Sequence, residues 1–173
     1  MFRELWILIK MLFRTNPCNI NNVSLMNMKH FPFKGYKYLM WCGKMIYRDD
    51  MYDRRQKEWA TDLFLVDKNH EQIHLMQAKM CGSWVKYYWR YFIEWLKGNP
   101  IIAPASSAYY TTPQEMEAYA NEDNFGYPEG MIIYEDNYSE GVCGKYIIKN
   151  GRKELYKKVG GTSKNWKEYV KGL

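Results

Sequence analysis

The chain has 173 residues, 47% hydrophobic and 25% charged, which is enough for one domain with a real core and excludes global disorder. Its net charge of +6 is split into blocks: residues 1–112 carry 16 basic and 9 acidic side chains, residues 113–144 carry 8 acidic and no basic ones, and residues 145–173 carry 9 basic and 2 acidic. Such blocks fit either surfaces with distinct partners or two faces that attract each other within one fold. Cys18, Cys42, Cys81 and Cys143 have neither metal-site nor redox spacing and read as reduced thiols of a cytosolic protein.

Residues 2–13 read as a short amphipathic helix. Its apolar run Trp6–Ile9 ends at Lys10, too short for a membrane span. Residues 16–22, rich in Asn and Pro, read as a loop. Tyr36 to Arg48 reads as a β-hairpin or bent strand around Cys42-Gly43-Lys44. Arg54–Trp59 is a short helix or loop, and Asp62–Val66 a brief apolar run. From Asp67 to Lys97 the pattern predicts one long helix, with Asp67 as N-cap and Gly82 its weak point. The charges of its second half form one narrow stripe among Trp84, Tyr87, Tyr88, Trp89, Tyr91, Phe92 and Trp95, which places that half in the core, the commoner case, or against another protein or a membrane surface. A second helix starts with Thr112 as N-cap, Pro113 at the first position and Glu115 completing a capping box, and runs to about Glu122. A strand over Met131–Glu135, a hairpin over Lys145–Val159 turning at Asn150-Gly151, and a last helix capped by Ser163 complete the chain.

The chemistry sits in His70-Glu71-Gln72-Ile73-His74. Two histidines four apart on a helix share a face, and two neutral imidazoles at that spacing bind one Zn²⁺ ion. Glu71, one residue along, is the candidate catalytic base for water polarised by the ion. A catalytic zinc needs a third protein ligand. His30, the one remaining histidine, reads as a surface residue. Gln77 and Met80 stand where an extended motif would need glycine and histidine, so the third ligand is expected to be a downstream carboxylate. Glu94 would lie about 30 Å away on a continuous helix. Glu115, Glu117 and Glu122 remain.

These residues resemble a family. Asn69-His70-Glu71-Gln72-Ile73-His74 followed by Glu115-Met116-Glu117-Ala118-Tyr119-Ala120-Asn121-Glu122 is similar to gluzincin-type metallopeptidases, in particular small proteins of this kind from bacteria and their phages. The resemblance covers about residues 29–122. It implies that a Glu-x-Glu-Ala helix supplies the third ligand, which falls on Glu115, with Glu117 as the alternative. Asn69 and Tyr119 enter as supporting groups near the metal; relatives often carry Asp at the position of Tyr119. The expected fold is α+β: a small zincin-like domain with a long HExxH helix, a second glutamate-bearing helix and a small, mostly antiparallel sheet. The expected division is an N-terminal helical extension over 1–25, the zincin-like domain over 26–130, and a hairpin and basic tail over 131–173 packed on it. Met1, Met26 and Met28 are each candidate starts.

Three functions follow as expectations. The first is a zinc peptidase acting on peptides or proteins, with Tyr109, Tyr110 and Tyr119 as candidate oxyanion donors. The second is a silent zinc scaffold that binds assembly partners through Trp84–Trp95, for example in a phage virion. The third is nucleic-acid binding through a basic tail in which Lys145, Lys149, Arg152, Lys153, Lys157 and Lys158 interleave with Tyr146 and Tyr156, unaccompanied by a nucleic-acid motif. The expected location is the cytoplasm or a phage particle.

Overall fold

Residues 1–34, 37–99, 105–131 and 142–173 are described by the computed structural model, and over them the chain is α+β. Helix α1 (Phe2–Arg14) precedes strands β1 (Ser24–Met28), β2 (Leu39–Trp41) and β3 (Lys44–Arg48). Helices α2 (Tyr52–Glu58), α3 (Asp62–Met80), α4 (Trp84–Lys97), α5 (Ala105–Tyr110), α6 (Pro113–Asn121) and α7 (Tyr127–Gly130) follow, and α8 (Arg152–Lys158) and α9 (Ser163–Lys171) close the chain.

The expected hairpin is present as β2 and β3. Cys42 and Gly43 turn it with positive φ at both positions, 50° and 80°, the two-residue turn whose twist matches the flanking strands. The sheet order is β1-β3-β2. β1 pairs in parallel with β3, from Ser24 opposite Lys44 to Met28 opposite Arg48, while β2 pairs with β3 antiparallel. The sheet is therefore mixed rather than mostly antiparallel. The longer ladder comes from Ser24–Met28, which lacks a clean alternating pattern and is drawn into the sheet by its neighbours: Val23 is buried and Ser24 donates its N–H to the Gly43 carbonyl at 3.1 Å. β2 is left as an edge.

The single helix expected over Asp67–Lys97 is two helices. α3 begins earlier, where Thr61 Oγ1 accepts from the Phe64 N–H at 3.3 Å, and the apolar run Asp62–Val66 is its first turn. α3 ends at Cys81, and Gly82 adopts φ +70°. Ser83 then caps α4, accepting from the Lys86 N–H at 3.2 Å. A left-handed glycine followed at once by a serine cap ends one helix and starts another. Nor is α4 a core helix. Trp84 and Tyr87 are buried, but Trp89 is 63% exposed, and Val85, Phe92 and Leu96 face outward with it.

The hairpin expected over Lys145–Val159 is also replaced by helix. Gly151 is left-handed (φ 73°), as a hairpin turn would require, but it precedes α8, whose Arg152 and Tyr156 are buried one turn apart. The period of four wins over the turn signal. α9 is capped by Thr162, one residue before the expected Ser163, through an Asn165 N–H bond of 3.2 Å. The strand expected over Met131–Glu135 lies, beyond Met131, outside the described residues.

α3 is the central layer. On one side Leu75 and Ala78 join Val23, Met45, Trp84 and Tyr87 in a core between sheet and helices. On the other, Ile73 and Met80 meet Ala118 of α6 and Met131. α1 covers the far face of the sheet through Leu8, which packs with Met28, Phe31 and Ile46. Behind α6, Met116 and Tyr119 pack on Tyr146, Tyr156, Trp166 and Val170. Arg152, at the start of α8, donates to the Glu94 carbonyl at 2.7 Å and pairs with the Glu94 carboxylate, tying the C-terminal region to α4. None of the helices is long and apolar enough to cross a membrane, among the described residues.

Candidate metal centre

His70 and His74 sit one turn apart on α3 and turn toward α6, which returns Glu115 to them from the first turn of its own helix. All three are buried. His70 Nε2 and His74 Nε2 are 3.1 Å apart. Glu115 Oε2 is 3.4 Å from His70 Nε2, and Glu115 Oε1 is 3.4 Å from His74 Nε2. Ligands held 2.0–2.1 Å from zinc at tetrahedral angles lie about 3.3 Å from one another. The three contacts are close to that separation, the carboxylate meeting the two imidazoles through different oxygens, and one ligand atom from each residue can be chosen so that all lie within 4.8 Å of one another.

The orientation of each ring is fixed from behind. His70 Nδ1 meets Glu122 Oε2 at 3.2 Å, and His74 Nδ1 meets Gln77 Oε1 at 2.9 Å. Gln77 cannot present its amide the other way round, because its Nε2 donates to Glu117 Oε2 at 2.7 Å and to the Gln114 carbonyl at 3.1 Å. Both Nδ1 atoms therefore donate, and in the neutral rings both Nε2 atoms carry lone pairs. Two lone pairs and a carboxylate converge on one point, an arrangement that repels itself unless positive charge sits between them.

In titration that positive charge is met by protons on the rings. Burial opposes charge on every one of them, yet the hydrogen bonds that the ring donates to the Glu115 and Glu122 carboxylates raise His70 to about 10. His74 is raised by Glu115, again against burial. The two imidazoles hold the Glu115 carboxyl far below the ordinary carboxylate range despite its burial. The donor set of two imidazoles and one carboxylate suits zinc, and these residues are the group of potential metal ligands found among those described.

Glu71 lies beside these three residues. Its Oε2 is buried and makes no hydrogen bond among the described residues. Burial raises its pKa, the two histidines partly offset that, and Glu115 adds to the rise, which moves a carboxylate toward the range of a useful base. Two cavities open onto the site. One of about 160 Å³ reaches His70 and Glu71 past Lys37, Tyr109 and Lys167. One of about 270 Å³ reaches Glu71, His74 and Glu115 past Tyr38, Trp41 and Tyr88.

Of the residues singled out in the sequence, His70, His74, Glu115 and Glu71 come together. Glu115 is not a capping residue: Thr112 makes no side-chain cap bond, and the carboxylate is directed at the histidines. Glu117 is not brought to the histidines; its carboxylate accepts from Gln77 and, at 3.0 Å, from Tyr127. Asn69 ties α3 to the end of α6 by donating to the carbonyls of Glu122 at 2.9 Å and Asn124 at 3.1 Å. Tyr119 covers the His70 ring at 4.5 Å. Tyr109 lines both cavities, whereas Tyr110 stacks on Tyr156 in the C-terminal core. His30 is at the surface, 2.7 Å from Glu4. Glu94 is engaged by Arg152 and Lys97.

Sequence reading missed three contributors. In sequence Gln77 stands only as a departure from a longer motif, and Glu122 only as a candidate ligand. Tyr91, read as one aromatic among many, donates its hydroxyl to Glu115 Oε1 at 2.9 Å. A carboxylate at the end of the ligand helix was a usable signal for Glu122; nothing local marks Gln77 or Tyr91. No protein-family model matches this chain, and neither does any curated protein or solved structure.

Proposed function

We propose that this protein is a zinc-dependent, gluzincin-type hydrolase acting on peptide bonds, with a zincin-like arrangement of α3 and α6. His70, His74 and Glu115 hold the ion, which when bound supplies a Lewis acid that polarises the substrate carbonyl and acidifies water. The observation that carries this reading is the convergence of His70, His74 and Glu115, with contacts of 3.1, 3.4 and 3.4 Å, beside the Glu71 Oε2 that makes no hydrogen bond among the described residues. Structural zinc sites are closed by four protein ligands, and catalytic ones keep a position open. Three ligands converge here among the described residues, and two cavities reach them.

In this reading Glu71 takes a proton from the attacking water and delivers it to the leaving amine. Tyr109, on the wall shared by both cavities, donates its phenol to the developing oxyanion. Glu122 and Gln77 hold the two imidazoles in the donating orientation, and Tyr91 steadies Glu115. The test is metal analysis and cleavage of a peptide library by the zinc-loaded protein beside Glu71→Gln. The variant should keep its zinc and lose about 10²–10⁴-fold in rate. Cleavage that survives the change removes Glu71 from the role of base.

A second reading, a silent zinc scaffold in an assembly such as a virion, draws on one observation: the outward face of α4, with Trp89 and Phe92. Full zinc occupancy, no cleavage and a stable oligomer would favour it. For nucleic-acid binding through the tail, Tyr146 and Tyr156 are buried in the core and Arg152 is paired with Glu94, which leaves the lysines without the interleaved rings.

A further inference from the structure

Three cavities lie in series along residues 37–41, and they differ sharply in chemistry. The first, about 670 Å³, is lined by Lys34, Lys37, Arg48, Arg54 and Arg55 against two carboxylates, Asp50 and Glu58. Glu58 alone serves three of those cations: Arg55 at 2.6 Å, Arg54 at 3.6 Å and Lys37 at 3.7 Å. Arg55 is 6% exposed and its Nε makes no hydrogen bond among the described residues. Positive charge stays in excess even when Asp67, which pairs with Lys37 from the next cavity, is counted. The second cavity is the small polar opening over His70 and Glu71, and it shares Lys37 with the first. The third is the aromatic pocket over Glu71, His74 and Glu115, and it shares Tyr38, Glu71 and Tyr109 with the second. Its walls include Leu39, Met40 and Trp41 of the edge strand and Tyr87, Tyr88 and Tyr91 of α4, and it holds no cation. The metal ligands thus stand between a cationic basin and an apolar, ring-lined pocket.

Resting on the peptidase reading, we infer that the peptide bound across this site carries an acidic side chain on one flank of the reacting bond and a bulky apolar or aromatic side chain on the other. The basin gains from a carboxylate because its own two acids leave cations underpaired. The pocket gains from a flat or branched side chain because its walls are ring faces, and its charged lining is confined to Glu71 and Glu115 at the site itself.

The test uses the full chain loaded with zinc and four quenched fluorescent peptide classes: acidic and aromatic on opposite flanks, acidic only, aromatic only, and neither. The first class should have the highest kcat/KM, with each flank contributing about tenfold, a typical value for one well-placed contact. Lys34→Glu combined with Arg54→Glu should collapse the acidic preference. Lys34 is exposed and the Arg54 side chain is 72% exposed, so the fold should tolerate both changes. Added salt should weaken the same preference. In parallel, anisotropy of a labelled acidic–aromatic peptide on Glu71→Gln reads binding without turnover. Equal cleavage of all classes, or an acidic preference that survives the charge reversals, overturns the inference and leaves the peptidase reading standing. Charge-sensitive binding without any cleavage by the wild-type protein supports the polarity of the cleft and removes the peptidase reading. Absence of both binding and cleavage overturns the two together.

Discussion

α3 and α4 are successive helices separated by Cys81, Gly82 and Ser83, and they treat their side chains in opposite ways. α3 buries Asn69, His70, His74 and Gln77 against Gln114, Glu115 and Glu117 of α6, while α4 turns Val85, Trp89, Phe92 and Leu96 outward. Folding energetics alone favour neither pattern. A buried polar group costs about 1–3 kcal/mol unless its partner is supplied, and an aromatic ring left in water gives up the stabilisation that burial would bring. The polar interior is matched by its own neighbours at Asn69, His70, His74, Gln77 and Glu117, while among the described residues both amide atoms of Gln114 and the Oε2 atoms of Glu71 and Glu115 make no hydrogen bond. The apolar exterior of α4 has no such internal account, which makes the two helices separable by mutation.

The largest effect should come from the polar interior. His70→Ala or Glu115→Ala should take zinc content from one ion per chain to none, read by elemental analysis, and abolish the rise in Tm on zinc addition. Retention of a full equivalent by either variant would remove that residue from the ligand set. Arg152→Ala should follow. It leaves the Glu94 carboxylate, whose side chain is 14% exposed, without its guanidinium, and should cost about 3 kcal/mol in denaturant unfolding. The same pair sets a pH dependence. Burial would raise the Glu94 pKa, but hydrogen bonds from Lys97 and Arg152 hold it below the ordinary 4.5. A group depressed on folding stabilises fully above its unfolded pKa, so this contribution should be complete above pH 4.5 and vanish as pH falls through the lower folded value. A stability profile equally steep below pH 4.5 in wild type and Arg152→Ala would count against it.

Smaller effects should come from behind the ligands. Glu122→Gln and Gln77→Leu should each weaken zinc binding about 10–100-fold without eliminating it, measured by competition with a chelator. Unchanged affinity would show that ring orientation is fixed by other means. The smallest effect belongs to the apolar exterior: Trp89→Ser and Phe92→Ser should leave zinc content intact and shift stability by no more than about 0.5 kcal/mol. A substantial loss of stability would mean that the α4 face is covered by structure and not by solvent.

What the sequence made legible follows the range of the interactions involved. His70 and His74 could be read because their spacing is local to one helix; Glu115 stood out from Glu117 and Glu122 only through the resemblance of its helix, since Thr112 and Pro113 gave it a local capping role instead. The hairpin turn at Cys42-Gly43 could be read because it too is local. Glu122 and Gln77 as ring-orienting groups could not, since each role depends on which way a neighbouring imidazole points, and for Glu122 the partner lies 52 residues away. The break at Gly82 was visible as a weak residue but not as a left-handed one, because glycine inside a helix and glycine ending one look alike in sequence. Asn150-Gly151 misled for a related reason: the same left-handed glycine serves a hairpin or a helix start, and burial of Arg152 and Tyr156 decided between them.

The lysines of α9 reach back to the carboxylate behind His70: Lys167 stands 3.4 Å and Lys171 3.9 Å from Glu122 Oε1. The far end of the polypeptide is thereby coupled to the basicity of an imidazole set in motion dozens of residues earlier. Acetylation of Lys167 removes one of these charges and should leave Glu122 to pull harder on the His70 proton.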